Sequence, residues 1–239
     1  MFTHRDVKAG RVIRFELLES INFPYSTFEE FGWKNYLKMN APVYENLVRA
    51  FYYNSELVPR QNTPNRSYTD RFKTFLMGSE YVISRQTIAN TLNLDDSGET
   101  NTKADILDLA KSVFDDETLP FAHTQAAKLG MHDRLLHLIV THVLAPFGTQ
   151  YAIILKQDYW WMHMIKKKHC PNLLAFIFSD MMKVVQHLES SLVYGMVLSA
   201  VFRHLGIDNR CDTTFIQHPS TYLDEHSLGS MGYVKEQNI

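Results

Sequence analysis

The segment with the clearest potential for binding chemistry runs from residue 156 to residue 169 and combines lysines with aromatic rings. Lysines can contact phosphate groups, and exposed aromatic rings can stack on nucleotide bases. A lysine run at a helix end also complements the negative end of the helix dipole, and tryptophans commonly anchor a core. Both interpretations stay open from the sequence. The candidate nucleic-acid contacts are Lys156, Lys166, Lys167, Lys168, Trp160 and Trp161.

Three histidines, His132, His137 and His142, recur at intervals of five residues within one predicted helix. Side chains five residues apart on an α-helix point about 140° away from each other, whereas a helical zinc pair uses positions four residues apart. These histidines therefore do not converge on one ion. His169 and Cys170 are adjacent, and adjacent helical residues do not face each other, so they do not predict a nucleophile with its base.

The acidic residues could support metal-dependent phosphoryl transfer if several of them shared a buried strand. Carboxylates in such a site hold two Mg²⁺ ions about 4 Å apart. Asp95, Asp96, Asp115, Asp116 and Glu117 instead lie in polar, loop-like segments. The sequence also lacks a glycine-rich phosphate loop, a nucleophile elbow and a dinucleotide-binding fingerprint. We therefore predict no catalytic residues, no bound metal and no cofactor, and a metal-dependent hydrolase is the weakest alternative.

The overall composition limits the partners and the compartment. Lysine and arginine total 24 against 26 aspartates and glutamates, a formal net charge of −2, so the chain lacks the positive field of a general DNA-binding protein. Two cysteines are too few for a disulfide framework, which favours a reducing compartment. The longest apolar run near the C-terminal end, residues 192–202, is interrupted by Gly195 and Ser199 and is shorter than the roughly 20 residues that span a bilayer. We expect an intracellular protein, nuclear or cytoplasmic, that does not contact membranes.

Apolar residues recur mostly at helical spacing, which predicts a mainly α fold: a single helical domain with a small β-hairpin. Ser84 is placed to cap the helix that follows the hairpin. Residues 57–67 are rich in proline and asparagine and predict a loop, and a helix with an acidic surface is expected within residues 95–117. The predicted helices are 26–40, 42–54, 130–145, 172–189 and 192–205, and the predicted hairpin covers residues 71–83.

The same pattern divides the chain into three parts. Residues 1–25 are expected to form an N-terminal extension, residues 26–207 the helical core domain, and residues 208–239 a polar C-terminal tail. The predicted helices should enclose one core, since their apolar faces need each other for burial.

Five short motifs occur in order along the chain. Together they resemble the plant-specific family named "putative plant transposon protein domain", found in proteins related to mobile elements. The resemblance extends from about residue 28 to residue 233, and Val193 stands where the family usually has proline. The motifs are LV-x-x-FY-x-N within residues 44–54, YVIS at 81–84, RLLH and LAP at 134–137 and 144–146, LVYGMVL with FRHLGI at 192–198 and 202–207, and SLGSMGY at 227–233.

The resemblance implies a mobile-element-derived protein and supplies no catalytic residues. The predicted function is therefore a non-enzymatic binding or interaction module with a protein partner, and nucleic acid is a second possible ligand. The alternative is an accessory or remnant subunit of a transposition machinery that contacts DNA and lacks its own catalytic site.

Overall fold

The chain divides into two compact units, each assembled from three separate stretches of sequence. The predicted single domain with one core is therefore not confirmed. Unit 1 comprises Met1–Gly10, Met39–Ser97 and Asn172–Gln217, and unit 2 comprises Arg11–Lys38, Gly98–Pro171 and His218–Ile239. The computed structural model describes residues 5–59, 69–100, 103–114, 125–146, 151–187, 190–207, 210, 212–230 and 232–233.

Helices dominate the described residues and two small antiparallel sheets accompany them, which confirms a mostly α fold with a small β part. The helices are α1 (Phe15–Ser20), α2 (Ser26–Glu30), α3 (Lys34–Leu37), α4 (Glu45–Asn54), α5 (Arg85–Leu92), α6 (Ile106–Phe114), α7 (Met131–Ile139), α8 (Lys156–Lys166), α9 (Leu173–Gln186), α10 (Gly195–His204) and α11 (Glu225–Ser230). The strands are β1 (Val43–Tyr44), β2 (Glu56–Pro59), β3 (Thr69–Leu76), β4 (Ser79–Ser84) and β5 (Thr214–Phe215).

A chain of aromatic rings forms the centre of unit 1. The ring of Phe72 on β3 lies 5.4 Å from that of Phe51 on α4 and 4.7 Å from that of Phe178 on α9, measured between centroids. Phe51 also lies 6.2 Å from Phe202 on α10. These contacts join the sheet to three helices. They stabilise the unit, since each ring buries a large apolar surface.

Unit 2 has its own core around α8. The ring of Trp161 on α8 packs against Trp33 at 6.0 Å between centroids, and Trp33 stacks against Phe28 at 6.3 Å. The hydroxyl of Tyr36 donates to the carbonyl of Val143 at 2.8 Å in the π-helical turn Val140–Leu144 that follows α7. The N-terminal helices and α8 therefore share one buried surface within this unit.

Several predicted helices occur with different bounds. The prediction 26–40 becomes α2 and α3, separated by Gly32 in the left-handed conformation with φ of +74°. The prediction 42–54 begins at Glu45, because Val43 and Tyr44 pair with β5 and the Asp212 carboxylate accepts the N–H groups of Asn46 and Leu47. This cap comes from a residue more than 160 positions away, so local sequence could not place the helix start. The remaining predicted helices correspond to α7 with its π-helical turn, α9 and α10.

The predicted hairpin is confirmed and gains a third strand. β3 pairs with β4 in a continuous antiparallel register, and β2 pairs with the other side of β3. The predicted loop 57–67 is therefore wrong at residues 57–59, where the backbone pairs with β3, and residues 60–67 lie outside the described residues.

The predicted extension and tail both contribute buried residues to unit 2. Leu17 and Leu18 of α1 are buried, as are Leu223 and Leu228 near α11. The N–H of Arg14 donates to the carbonyl of Leu223 at 3.1 Å, which joins the two stretches. The division of the chain at residues 26 and 207 stays a prediction.

Substitution Ser84→Ala should lower the free energy of unfolding by about 1 kcal/mol, since Ser84 caps α5. Its hydroxyl accepts the N–H of Thr87 at 3.1 Å, and the Thr87 hydroxyl accepts the N–H of Ser84. Urea unfolding followed by circular dichroism measures the change. Ser84→Asn is the matched control and should keep most of the stability, because its side chain retains the acceptor. An unchanged midpoint for Ser84→Ala would contradict the capping role.

Candidate functional site

Helix α8 of unit 2 carries the residues that the sequence singled out for nucleic-acid contact. Its start is set locally, because the Asp158 carboxylate accepts the backbone N–H of Leu155 at 2.9 Å. At its end, Lys168 adopts a φ of +57° and the N–H of His169 donates to the carbonyl of Met164 at 2.9 Å. Glycine usually occupies this left-handed position. Lys168 therefore holds a strained conformation at the end of the helix.

The four candidate lysines do not form one patch. Lys156 and Lys166 occupy opposite ends of an 11-residue helix, about 15 Å apart. The Lys166 ammonium donates to the carbonyl of Val113 at 2.7 Å and to the carboxylate of Asp133 at 3.1 Å. Lys168 forms an ion pair with Glu30 at 2.8 Å. Lys167 is exposed and forms no ion pair with any residue that the structure describes.

The two candidate tryptophans are core residues. Trp160 is 2% exposed and Trp161 is fully buried, and their rings contact each other at 5.5 Å between centroids. A base can stack only on a ring face that solvent can reach. The burial of both rings favours their interpretation as core anchors, and their role as nucleic-acid contacts stays a prediction.

A serine and a histidine meet where α6 packs against α8. The Ser112 hydroxyl lies 2.5 Å from Nδ1 of His163 and also donates to the carbonyl of Leu109 at 2.6 Å. Burial lowers the pKa of His163, and the positive charges of Lys167 and His169 lower it further. The Ser112 hydroxyl has a single hydrogen, so its donation to the Leu109 carbonyl competes with donation to Nδ1 of His163.

The three histidines considered as metal ligands contact three different parts of unit 2. His132 bonds to the carbonyl of Ile21 at 2.8 Å, His137 is buried 3.4 Å from the Asp158 carboxylate, and His142 stacks on Tyr151 at 4.1 Å between centroids. Within the described ranges, no three or more histidine, cysteine, aspartate or glutamate side chains are grouped so as to hold a metal ion.

The carboxylates considered for phosphoryl transfer fall into two groups. Asp96 forms an ion pair with Arg85 and accepts the side-chain amide of Asn172 at 3.0 Å, all within unit 1, whereas Asp95 is exposed. The other three, Asp115, Asp116 and Glu117, lie outside the described residues.

Asp180 is a fully buried carboxylate on α9 in unit 1. It accepts hydrogen bonds from the Tyr194 hydroxyl at 3.1 Å and from the Lys183 ammonium at 2.6 Å. Burial raises the pKa of Asp180 above its ordinary value of 3.8, although Lys183 and Tyr194 both oppose this rise. Asp180 therefore joins the middle of α9 to the segment that leads into α10.

The residues around Tyr194 explain one of the sequence motifs physically. Tyr194 adopts a φ of +58°, which is costly for a bulky residue, and its hydroxyl bond to Asp180 holds it there. A Cβ on Gly195 would lie 3.1 Å from side-chain atoms of Val43 and Val7, closer than ordinary packing allows. The Tyr194–Gly195 pair thus lets α10 approach the N-terminal segment and β1 of unit 1.

The outer face of the three-stranded sheet in unit 1 carries exposed apolar side chains. Phe72 and Leu76 on β3 are buried, and the period-two alternation of a strand turns Phe75 to the opposite face. Phe75 is 57% exposed, and Val82 on β4 is 48% exposed on the same face. This outer face was not predicted from the sequence. The signal that could have revealed it is Phe75 itself, an apolar residue at a position where strand alternation predicts a polar one.

The turn of the hairpin adds a third apolar side chain. Met77 and Gly78 both have positive φ, +49° and +81°, as in a type I′ turn. Asparagine or glycine normally occupies the first turn position, because other side chains are strained there. Here the position is held by Met77, which is 58% exposed. Neither turn geometry nor burial within the hairpin therefore explains a methionine at this site.

Comparison with known proteins identifies the family. The family model described as "Putative plant retrotransposon-related domain" matches residues 29–208, three quarters of the chain. The chain belongs to this family. No curated protein and no solved structure gives a significant match. The match confirms the resemblance to plant mobile-element proteins that the five motifs carry, and it covers elements from both units.

Within the described part of this retrotransposon-related chain, none of the helices combines the length and the apolar character that crossing a bilayer requires.

Asp180→Asn should change the pH dependence of stability. Between the ordinary pKa of 3.8 and the raised pKa of the folded protein, the folded state binds more protons than the unfolded state. The contribution of Asp180 to the free energy of unfolding is therefore fully present below this window and is lost as pH rises through it. Asparagine cannot ionise but can still accept the Tyr194 hydrogen bond, so the variant should lack this loss.

Chemical unfolding at a series of pH values from 3.5 upward measures the effect as the difference between wild type and variant. Asp105→Asn changes an exposed carboxylate that bonds to the N–H of Leu107 and serves as the control. Parallel curves for wild type and Asp180→Asn would show that the buried carboxylate does not titrate as expected.

Proposed function

We propose that this retrotransposon-related chain is a non-enzymatic protein-interaction module, and that its contact surface is the outer face of the three-stranded sheet. The single observation that carries the proposal is the exposure of Phe75, Met77 and Val82 together on one hairpin. Hereafter these three residues are called the hairpin surface. Grouped exposed apolar residues on a folded protein mark sites of association.

The position of Met77 is the strongest support for a binding role. A left-handed non-glycine residue costs about 1 kcal/mol or more, and asparagine would relieve part of this cost. The methionine gains little burial in return, since it is 58% exposed. A flexible apolar side chain at a turn tip suits contact with another protein, because methionine adapts to irregular surfaces.

The surroundings of the hairpin surface suit a protein partner better than a nucleic acid. Lys73 on β3 forms an ion pair with Glu80 on β4 at 2.8 Å, so the charges beside Phe75 and Val82 compensate each other. An apolar centre with a polar, charge-balanced rim is the usual anatomy of a protein interface. A phosphate-binding surface would need uncompensated positive charge.

Met77→Asn should make the isolated chain more stable and weaken partner binding. The expected gain in the free energy of unfolding is up to about 1 kcal/mol, because asparagine tolerates the left-handed turn position. Binding is measured by affinity capture from nuclease-treated plant nuclear extract, with Phe75→Thr as a second variant that keeps strand preference. A loss of captured proteins in a more stable variant cannot be attributed to unfolding.

Ile216→Asn provides the matched control, because Ile216 is 65% exposed in the same unit and lies outside the hairpin. It should retain the captured proteins. If all variants capture the same proteins as the wild type, the hairpin surface is not the contact site. If nuclease treatment releases everything that the wild type binds, a nucleic-acid function is favoured instead.

The second candidate function is contact with nucleic acid at the end of α8, as an accessory subunit of a transposition machinery. The observation that favours it is the exposure of Lys167, Lys168 and His169 in succession. Lys168 is already paired with Glu30, which leaves Lys167 as the best-placed phosphate contact. This surface is smaller than the sequence predicted, and nucleic acid is therefore the second candidate.

Lys167→Gln distinguishes this candidate through its salt dependence. If Lys167 contacts a phosphate, the substitution should flatten the plot of log affinity against log salt by about one unit of slope. Lys156→Gln, at the other end of α8, should leave the slope unchanged. Titration of labelled single-stranded and double-stranded DNA at several salt concentrations measures it. Identical slopes for wild type and Lys167→Gln would exclude the phosphate contact.

A further inference from the structure

The two edges of the three-stranded sheet are protected to different degrees. On β2, Pro59 removes a backbone donor and the register with β3 shifts between Val58 and Pro59. Proline and bulges are devices that prevent an edge strand from pairing with another chain. The end of the β2 edge is therefore protected against further pairing by its own sequence.

The β4 edge has none of these devices. Its register with β3 is continuous from Ser79 to Ser84, without a bulge or a proline. The strand order places β4 at the border of the sheet, and among the described residues its outer side makes no backbone–backbone hydrogen bond to another element. The N–H of Ser84 is already bound by the Thr87 hydroxyl of α5, so the open part of the edge ends at Ile83. Tyr81, Val82 and Ile83 favour strands strongly. This edge is ready to accept one more strand.

The charged residue on β4 does not prevent pairing at this edge either. Glu80 is the single charged residue of the strand, and its carboxylate is held by Lys73 on the neighbouring strand at 2.8 Å. A charge that is neutralised within the sheet repels an incoming strand less than a free one. The incoming strand therefore meets a nearly neutral edge with an apolar centre.

The sequence of β4 complements itself in one antiparallel register. If Val82 faces its own copy across a two-fold axis, Glu80 faces Ser84 and Tyr81 faces Ile83. Ser84 has Arg71 as its neighbour on β3, so each Glu80 lies toward a basic residue of the other copy. The register that places Glu80 opposite Glu80 brings like charges together and is disfavoured. The register centred on Tyr81 places Glu80 opposite the apolar Val82.

We propose that β4 pairs antiparallel with β4 of a second copy of this chain, around a two-fold axis at Val82, and forms a continuous six-stranded sheet. This inference rests on the proposed role of the hairpin in association and names the strand that joins it. The pairing places the two hairpin surfaces on one face of the shared sheet, because strand alternation is kept across the axis. A six-residue edge buries little area, so the dimer is reversible.

Residue 82 tests the register directly, because the axis places it opposite itself. Val82→Lys and Val82→Glu should each be monomeric, since two like charges would then face each other. An equimolar mixture of the two variants should form a dimer again. Sedimentation equilibrium at about 1 to 100 μM, the range of small reversible interfaces, should show the wild type approaching twice the monomer mass.

The control is Ile216→Lys, an exposed position in the same unit that should dimerise like the wild type. Circular dichroism of each variant establishes that it is folded, which the half-exposed position of Val82 favours. A wild type that stays monomeric throughout this range overturns the inference, as does a dimer that Val82→Lys leaves intact. A mixture of the two charge variants that stays monomeric overturns the Val82-centred register.

The same measurements separate this inference from the proposed function. Met77→Asn should still dimerise, because Met77 lies in the turn and outside β4. If Met77→Asn loses protein capture but keeps the dimer, both the interaction function and the β4 self-pairing are supported. If capture depends on Met77 but the wild type is monomeric, the interaction function holds without self-pairing. If the dimer forms and capture is insensitive to Met77, self-pairing holds and the partner surface lies elsewhere.

Discussion

The burial of Phe72 between Phe51 and Phe178 is the contact on which the architecture of unit 1 depends. It fixes one face of β3 against α4 and α9, and the alternation of strand side chains then turns Phe75 outward. A shift of one residue in the register would exchange the two faces and expose Phe72. The same contact that stabilises the core therefore also creates the exposed apolar face.

Buried polar groups restrict the rest of this unit. Asp180 ties Tyr194 to α9, and the guanidinium of Arg5 donates to the carbonyls of Val184, His187 and Ser190 near the end of that helix. The Tyr194 bond satisfies the buried carboxylate of Asp180, whereas the bonds of Arg5 are part-buried or exposed. These polar contacts hold the N-terminal segment and the start of α10 in defined positions.

In the basic segment, two lysines that resemble part of a binding motif form contacts within the fold. Lys166 and Lys168 hold α8 to neighbouring segments through Asp133, Val113 and Glu30. Positive charge near a helix C-terminus also complements the dipole. Two of the four lysines in this segment therefore bind partners within unit 2, and the hairpin surface becomes the better candidate for association.

Much of the fold and part of the site follow from the sequence alone. The apolar periodicity of α9 and α10, the Ser84 cap and the alternation across the hairpin are local, because each depends on residues within one or two turns or strands. The five ordered motifs that indicate the family are also short, local stretches of sequence.

Tertiary structure decided the features that depend on distant partners. The start of α4 follows from Asp212, the third strand from pairing with β3, and the division into two units from the way six stretches of chain combine. Trp160 and Trp161 could not be assigned to the core from their own neighbours, because their burial is produced by helices that are far away in the sequence. The exposure of Phe75 and Met77 was likewise not predicted, since the type of a residue does not reveal whether another element covers its side chain.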